Sequence, residues 1–300
     1  MKPWPRAALL RPALDALLAQ TDAAARVRGD PVELPHRYPD PQDVEVAALL
    51  SAALAYGRVD LFKPRLTALL DALGPRPAQV ARDATPAELL RRTAGFSYRM
   101  TDARDVACLL YGAGALLREH GSLGAAFTIE YKKTGGGGGD DGAGGDLRGA
   151  LGGFVDALCA PDFTPITGKR APSRRLKHLL PHPGRGSACK RLNLFLRWMV
   201  RGPDGVDFGL WREIPRTALV VPLDTHVHRI GRFIGLTRRK DLSWRTAEDV
   251  TRRLRQLDAQ DPVRYDFALS HLGISGACAS RKDARRCTGC PLKPICRFWV

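Results

Sequence analysis

Apolar residues recur along this chain at the three- and four-residue spacing of a helix face, and almost nowhere at the two-residue spacing of a strand. In "DVEVAALLSAALAYG" (43–57), Val46, Leu49, Leu50, Ala53 and Leu54 fall on one side of a helix. Asp40 and Asp43 are available to cap it. Residues 60–74, 85–95 and 101–121 repeat the pattern, each ending on a glycine suited to a C-cap. Residues 187–202, 225–235, 243–258 and 261–273 read as further helices. The one strand-like run, "ALVVPL" (218–223), is short and interrupted by Pro222. The predicted fold class is all-α.

At 300 residues the chain can bury a substantial core in one or two domains. No run of 18 apolar residues predicts a membrane span. Arg6, Arg11 and Asp15 interrupt the leucines of the first segment, which reads as a helix and not a signal peptide. Residues 132–146, "KKTGGGGGDDGAGGD", have no side chain able to anchor a core and predict a disordered insert between helices. The net charge of +16 is one-sided. Residues 1–168 hold 19 Lys and Arg against 20 Asp and Glu, whereas residues 169–300 hold 28 against 11. A composition bias would spread over both parts, so this concentration points to a polyanion partner.

Three stretches bear on chemistry. In "HPGRGSACKRLNLFLRWMVRG", Gly184, Arg185, Gly186 and Ser187 form a turn opening into a helix, an arrangement that aims backbone N–H groups at a phosphate. Lys190 is expected about one turn inside that helix, with Arg191 beside it on the phosphate-binding surface. In "VVPLDTHVHRIGR", Asp224 opens a helix, with its carboxylate at the positive end of the dipole. Near the end of the sequence, Cys278, Cys287, Cys290 and Cys296 fall within 19 residues. Four thiolates so close suit zinc or an iron–sulfur cluster; zinc sites more often use two paired ligand sets, and this run has a single Cys-x2-Cys. Cys108, Cys159 and Cys189 are scattered, and seven cysteines cannot all pair, which fits a reducing cytoplasm.

The order of these motifs resembles the endonuclease III superfamily of helix-hairpin-helix DNA glycosylases. "GSACKRLNLFL" aligns without gaps on that family's hairpin-to-helix motif and places Lys190 on its Schiff-base lysine, with Asn193 also matching. "PLDTHVHRIGR" resembles its "VDTH…R" segment and places Asp224 on the catalytic aspartate. "LLSAALA" (49–55) is similar to an early family helix, and the four cysteines to its [4Fe–4S] loop. The chain looks closest to a bacterial branch of the superfamily, some relatives of which resemble phage-defence glycosylases that remove glucosylated hydroxymethylcytosine. It departs from the family at four places. The first cysteine interval is eight residues and not six, and Ala188 replaces a hairpin glycine. Residues 201–221 are longer than usual, and Ala53 stands where a gap-filling Gln is common.

The resemblance implies two helical lobes flanking a DNA cleft. An N-terminal helix (1–35) packs with the C-terminal lobe, a barrel lobe (36–203) carries the hairpin near 180–202, and residues 204–300 carry the aspartate helix and the cysteine loop. It implies a monomer that flips a base out of double-stranded DNA and cleaves its N-glycosidic bond. Asp224 stabilises the charge developing on the sugar. Lys190 attacks as an amine, with lyase activity following; if it is solvated, water attacks instead. Tyr56, Trp211 and His226 line the base pocket. Arg281, Lys282, Arg285, Arg286 and Lys293 face phosphates from the cluster loop. The alternatives are repair of damaged pyrimidines or adducts, and non-catalytic recognition of DNA or RNA structure on the same fold.

Overall fold

The computed structural model describes residues 6–136 and 146–299. The chain folds as α1 (Ala7–Ala19), α2 (Ala23–Val27), α3 (Pro41–Leu54), α4 (Val59–Leu73), α5 (Pro77–Asp83) and α6 (Pro86–Thr93). A two-residue hairpin, β1 (Ser97–Tyr98) and β2 (Thr101–Asp102), leads into α7 (Ala103–His120). Then come α8 (Leu123–Lys133), α9 (Leu147–Leu158), α10 (Thr164–Thr167), α11 (Arg174–Leu179) and α12 (Lys190–Val200). The last helices are α13 (Thr225–Ile234), α14 (Trp244–Arg255) and α15 (Asp266–Ile274). The all-α class therefore holds among the described residues, and "ALVVPL" forms no strand. No described helix is long and apolar enough to cross a membrane.

The expected caps are in place, with one difference of partner. Asp40 caps α3, accepting the Gln42 N–H at 2.9 Å. Asp43 caps a different helix: its Oδ1 accepts the Ala78 N–H at 2.8 Å, at the start of α5. Glu45 does the same for α8, accepting the N–H groups of Leu123 (2.8 Å) and Gly124 (3.0 Å). The sequence predicts one apolar face for α3, yet every residue from Asp43 to Leu54 is buried. The reason is position: α3 touches α4, α5, α8 and α12. Asp43 and Glu45 tolerate burial because they satisfy the orphan N–H groups of the neighbouring helices.

Close packing around α7 depends on two glycines. A Cβ on Gly112 would lie 2.2 Å from the Leu158 carbonyl of α9, and one on Gly114 only 1.9 Å from the Ala81 carbonyl of α5. The Gly-rich insert is expected to begin at Lys132, but α8 continues to Lys133 and a turn follows to Gly136. Thr134 Oγ1 then donates to the Asp146 carbonyl at 3.1 Å, closing the stem. The expected disorder at 137–145 lies outside the described residues.

The N-terminal segment closes on the C-terminal elements. Tyr265 Oη donates to Asp15 at 2.7 Å, Arg6 donates to the Ile295 carbonyl at 3.1 Å, and His271 lies 3.2 Å from Asp30. The deepest polar feature is an ion network at the far end of α12. Arg197 bonds Asp266 (2.9 Å) and Asp207 (3.0 Å), while Arg201 bonds Asp207 (2.8 Å) and Asp261 (2.7 Å). This network ties the loop after α12 and the start of α15 to α12 itself.

Candidate active site and cysteine loop

His182 builds the turn before α12. Its Nδ1 accepts the Gly184 N–H at 3.0 Å. Gly186 follows with φ 82°, a left-handed backbone that a side chain would strain, and its carbonyl accepts the Trp244 N–H at 3.1 Å. Gly184, Arg185 and Gly186 are exposed, and Ser187 is half-buried. The next left-handed residue is Cys189, φ 46°, the N-cap of α12. Its thiol donates to the Pro181 carbonyl at 3.1 Å. Ala188, the departure from the family's glycine, is buried and carries no positive φ; the sharp bend falls one residue later.

That bend repositions Lys190, which is the first residue of α12 and not a turn inside it. It is half-buried, and its Nζ donates to the Ala55 carbonyl over a long 3.4 Å. Arg191, expected on the phosphate surface, is instead buried. It donates to the carbonyls of Ala53 (2.6 Å) and His178 and lies 5.2 Å over the Tyr56 ring. Burial without a carboxylate partner holds its guanidinium down to about 10. Both cations meet the carbonyl end of α3, the negative pole of that helix. Ala53 is fully buried, so nothing at this position can fill a gap in a duplex. Asn193 donates to the Ala188 carbonyl at 3.0 Å and braces the turn from inside.

Asp224 is the N-cap of α13: Oδ1 accepts the Val227 N–H at 2.7 Å. Oδ2 accepts the Ser270 hydroxyl of α15 at 3.3 Å, and the carboxylate is half-buried. One turn before Ser270 lies Asp266. Burial pushes its carboxyl up to about 6; Arg197 opposes that rise and Asp224 adds to it. Lys190 lies two turns before Arg197 in α12. The 2.9 Å Arg197–Asp266 pair therefore joins the helix that carries Lys190 to the helix that holds Asp224. Ser270, Asp266 and Arg197 had no signal in the sequence, because their roles exist only across helices.

The expected base-pocket residues separate. Tyr56 is half-buried beside the Lys190 contact, its hydroxyl donating to the Tyr98 carbonyl (3.0 Å) and lying 2.7 Å from Thr101 Oγ1. His226 is half-buried against Gly273, with its Nδ1 buried and unpartnered among the described residues. Trp211 belongs to the core: it is 4% exposed, packs on Phe127, Phe154 and Phe195, and donates to Glu45 at 2.6 Å. The first half of the long segment, residues 201–211, leads there too, whereas residues 217–220 line a cleft beside α14. Phe208 and Trp211 bond back to the carbonyls of Trp198 (2.8 Å) and Met199 (2.9 Å), at the end of α12 opposite Lys190.

Cys278, Cys287, Cys290 and Cys296 line one cavity, with Ile230, Phe233, Leu272, Leu292, Phe298 and Trp299 as its apolar walls. Burial pushes Cys278 up to about 11; Arg229 opposes this and the other three thiols add to it. Among the described residues, no three His, Cys, Asp or Glu close in to metal-ligand distance. The donor set is all soft sulfur with no carboxylate, which suits iron–sulfur chemistry or zinc. Arg229, five residues after Asp224, donates to the Cys278 carbonyl at 3.1 Å and ties α13 to the loop. Arg281, Arg285 and Arg286 are exposed. Lys282 and Lys293, also exposed, place their ammonium groups 4.4 and 4.7 Å from the Trp299 ring centre.

An all-α chain with a half-buried aspartate and lysine joined through one buried ion pair is the class that fold and site define. The chain belongs to the family described as "Protein of unknown function (DUF2400)", which matches residues 30–275. That span includes Lys190 and Asp224 and stops short of the four-cysteine loop. No curated protein and no solved structure matches the chain.

Proposed function

We propose that the protein is a DNA glycosylase of the endonuclease III type, which flips a modified base from the duplex and cleaves its N-glycosidic bond. The supporting observation is the frame that holds Asp224 and Lys190. Each is half-buried at the start of a helix, and the Arg197–Asp266 pair joins their supports at 2.9 Å. In this reading two lobes flank the DNA: one built on α3 to α12, the other on α1, α13 to α15 and the cysteine loop. The N–H groups of the Gly184–Gly186 turn are taken by His182 and Pro183, so in this reading the turn meets a phosphate through the exposed Arg185 at its tip.

Asp224, fixed by the Val227 N–H and the Ser270 hydroxyl, stabilises the positive charge that grows on the sugar as the base leaves. The long Lys190–Ala55 contact leaves the amine easy to release toward the sugar carbon. The four cysteines would hold a [4Fe–4S] cluster, and the all-sulfur donors and apolar cavity wall fit that group. The cluster supplies a fixed loop fold. Arg281, Arg285 and Arg286 on that loop then meet the backbone of double-stranded DNA. Because residues 201–211 sit at the far end of α12 from Lys190, the choice of base falls to the surroundings of Tyr56 and His226.

The test is incubation with genomic DNAs carrying damaged pyrimidines, alkylated bases or hypermodified phage cytosines, followed by mass spectrometry of released bases. The wild type is expected to release one class, and Asp224→Asn to release none while binding DNA as before. Undiminished release by Asp224→Asn overturns the assignment. Borohydride trapping to DNA, lost in Lys190→Ala, marks the amine as nucleophile; base release without trapping assigns the attack to water.

A further inference from the structure

One large cleft contains neither Asp224 nor Lys190. It has a volume of about 1120 Å³ and lies between the start of α9, residues 217–220 and the outer face of α14. Five guanidiniums line it: Arg148, Arg239, Arg245, Arg252 and Arg255. Two have carboxylate partners, Arg239 with Asp241 at 3.3 Å and Arg252 with Asp249 at 2.5 Å. Three have none among the described residues. Arg148 donates only to the Pro183 carbonyl (3.2 Å) and Arg255 only to the Thr217 carbonyl (2.8 Å), while Arg245 is exposed and unpaired. Burial lowers the pKa of Arg255.

The acidic groups of the cleft do not balance these cations. Glu248 is occupied by the Trp244 indole N–H at 2.6 Å, and Asp249 by Arg252 and the Thr237 hydroxyl. Asp146 makes no cap hydrogen bond to α9 with its carboxylate, and none to another side chain among the described residues. Five guanidiniums against the three carboxylates of Asp146, Glu248 and Asp249 leave the cleft net positive, and three of the five have no carboxylate partner among the described residues, which makes it complementary to an anion with several charges.

Length and continuity say which anion. Arg245, Arg252 and Arg255 follow one face of α14, whose 12 residues span about 18 Å, the axial rise of about five nucleotides of one strand. One end of the cleft abuts the Gly184–Gly186 turn directly. Arg148 bonds the Pro183 carbonyl, Trp244 bonds the Gly186 carbonyl, and Ser187 and Ser243 pair as a β-bridge. A small phosphate would fill a fraction of the volume and meet one or two of the arginines. A phosphodiester strand leaving the turn meets all of them in succession.

We propose that the cleft between α9 and α14 carries the sugar-phosphate backbone of one DNA strand, extending the grip of the Gly184–Gly186 turn away from the flipped base. This rests on the reading of the protein as DNA-binding. It is independent of which bond the enzyme cleaves.

The test compares Arg245→Ala/Arg252→Ala with Arg76→Ala/Arg91→Ala, a pair of equal charge change whose members are exposed and lie off the cleft. Fluorescence anisotropy measures binding to a labelled duplex of roughly three helical turns over a series of salt concentrations. Each lost phosphate contact lowers the slope of log affinity against log salt by about one, so the cleft pair loses about two and the control pair nothing. Wild-type slope in the cleft variant, or an equal loss in both variants, overturns the proposal. Poly-glutamate should compete far more weakly than unlabelled duplex, and equal competition overturns the phosphodiester assignment. A wild-type protein that binds no DNA overturns this proposal together with the glycosylase reading. Cleft-dependent binding without release of any base leaves the cleft assigned and overturns the glycosylase reading alone.

Discussion

Asp224 and Asp266 show how one residue type acquires two roles from its surroundings. Asp224 is a helix cap with one oxygen turned to Ser270. Asn caps as well as Asp, so Asp224→Asn should keep its stability while Asp224→Ala loses about 1 kcal/mol, measured by urea unfolding. Asp266 is fully enclosed, with a carboxyl at about 6 against an ordinary 3.8. The folded protein therefore holds this proton more tightly than the unfolded chain does. Its contribution to stability is full below about pH 4 and is lost as pH rises through about 6. In Asp266→Asn the group stays neutral, so the wild type should lose stability relative to this variant across that window. Urea midpoints taken at intervals between the two pH values check it; a constant difference would contradict the enclosed-acid assignment. Lys190 and Arg191 illustrate the reverse: two adjacent cations are drawn to the same carbonyl-rich helix end, and neither role could be read from a basic dipeptide.

Helix ends followed from local glycine punctuation at three places, but not at α6, which ends at Thr93 with Ala94 and not the expected Gly95 as its C-cap. Gly74, Gly121 and Gly235 cap α4, α7 and α13 with positive φ, as a C-terminal glycine should. The starts of α12 and α15 were less legible. A bridge from Ser187 to Ser243 and the left-handed Cys189 delay α12 to Lys190, and turns over 261–265 delay α15 to Asp266. The first delay comes from a tertiary contact, the second from local turn hydrogen bonds such as Arg264 N–H to Asp261 and Asp266 N–H to Val263. Helix spacing is also set by single atoms. Gly112→Ala would drive a Cβ to 2.2 Å from the Leu158 backbone, which cannot swing aside as a side chain could. The expected cost is about 1–3 kcal/mol, seen as a lower thermal midpoint; an unchanged midpoint would mean that α7 and α9 can part freely.

On the scale of the whole molecule, charge and cysteines divide the labour. The basic excess of residues 169–300 is not spread evenly over a solvated surface. It appears as an exposed turn, an arginine-lined cleft and a basic loop around the cysteine cavity, while Arg191, Arg197 and Arg201 are spent inside. If the four thiols hold a [4Fe–4S] cluster, anaerobically purified protein is brown with about four irons per chain. Cys290→Ser should lose that colour and weaken DNA binding, because the loop that carries Arg281, Arg285 and Arg286 would lose its closure. Colourless protein with one bound zinc is the result that rejects the cluster.

Helical periodicity determined the fold class, because amphipathic spacing is written locally and needs no partner to be legible. Order and spacing likewise marked Asp224, Lys190 and the four cysteines as the residues to examine. What surrounds them was decided by tertiary structure alone. Trp211 went to the core, Arg191 to the end of α3, and residues 201–211 to the far end of α12, because each found a hydrogen-bond or ion partner more than 100, 100 or 50 residues away in sequence, respectively. The α9–α14 cleft is of the same kind: its cations come from segments 70 or more residues apart, and only packing against the Gly184–Gly186 turn lines them up.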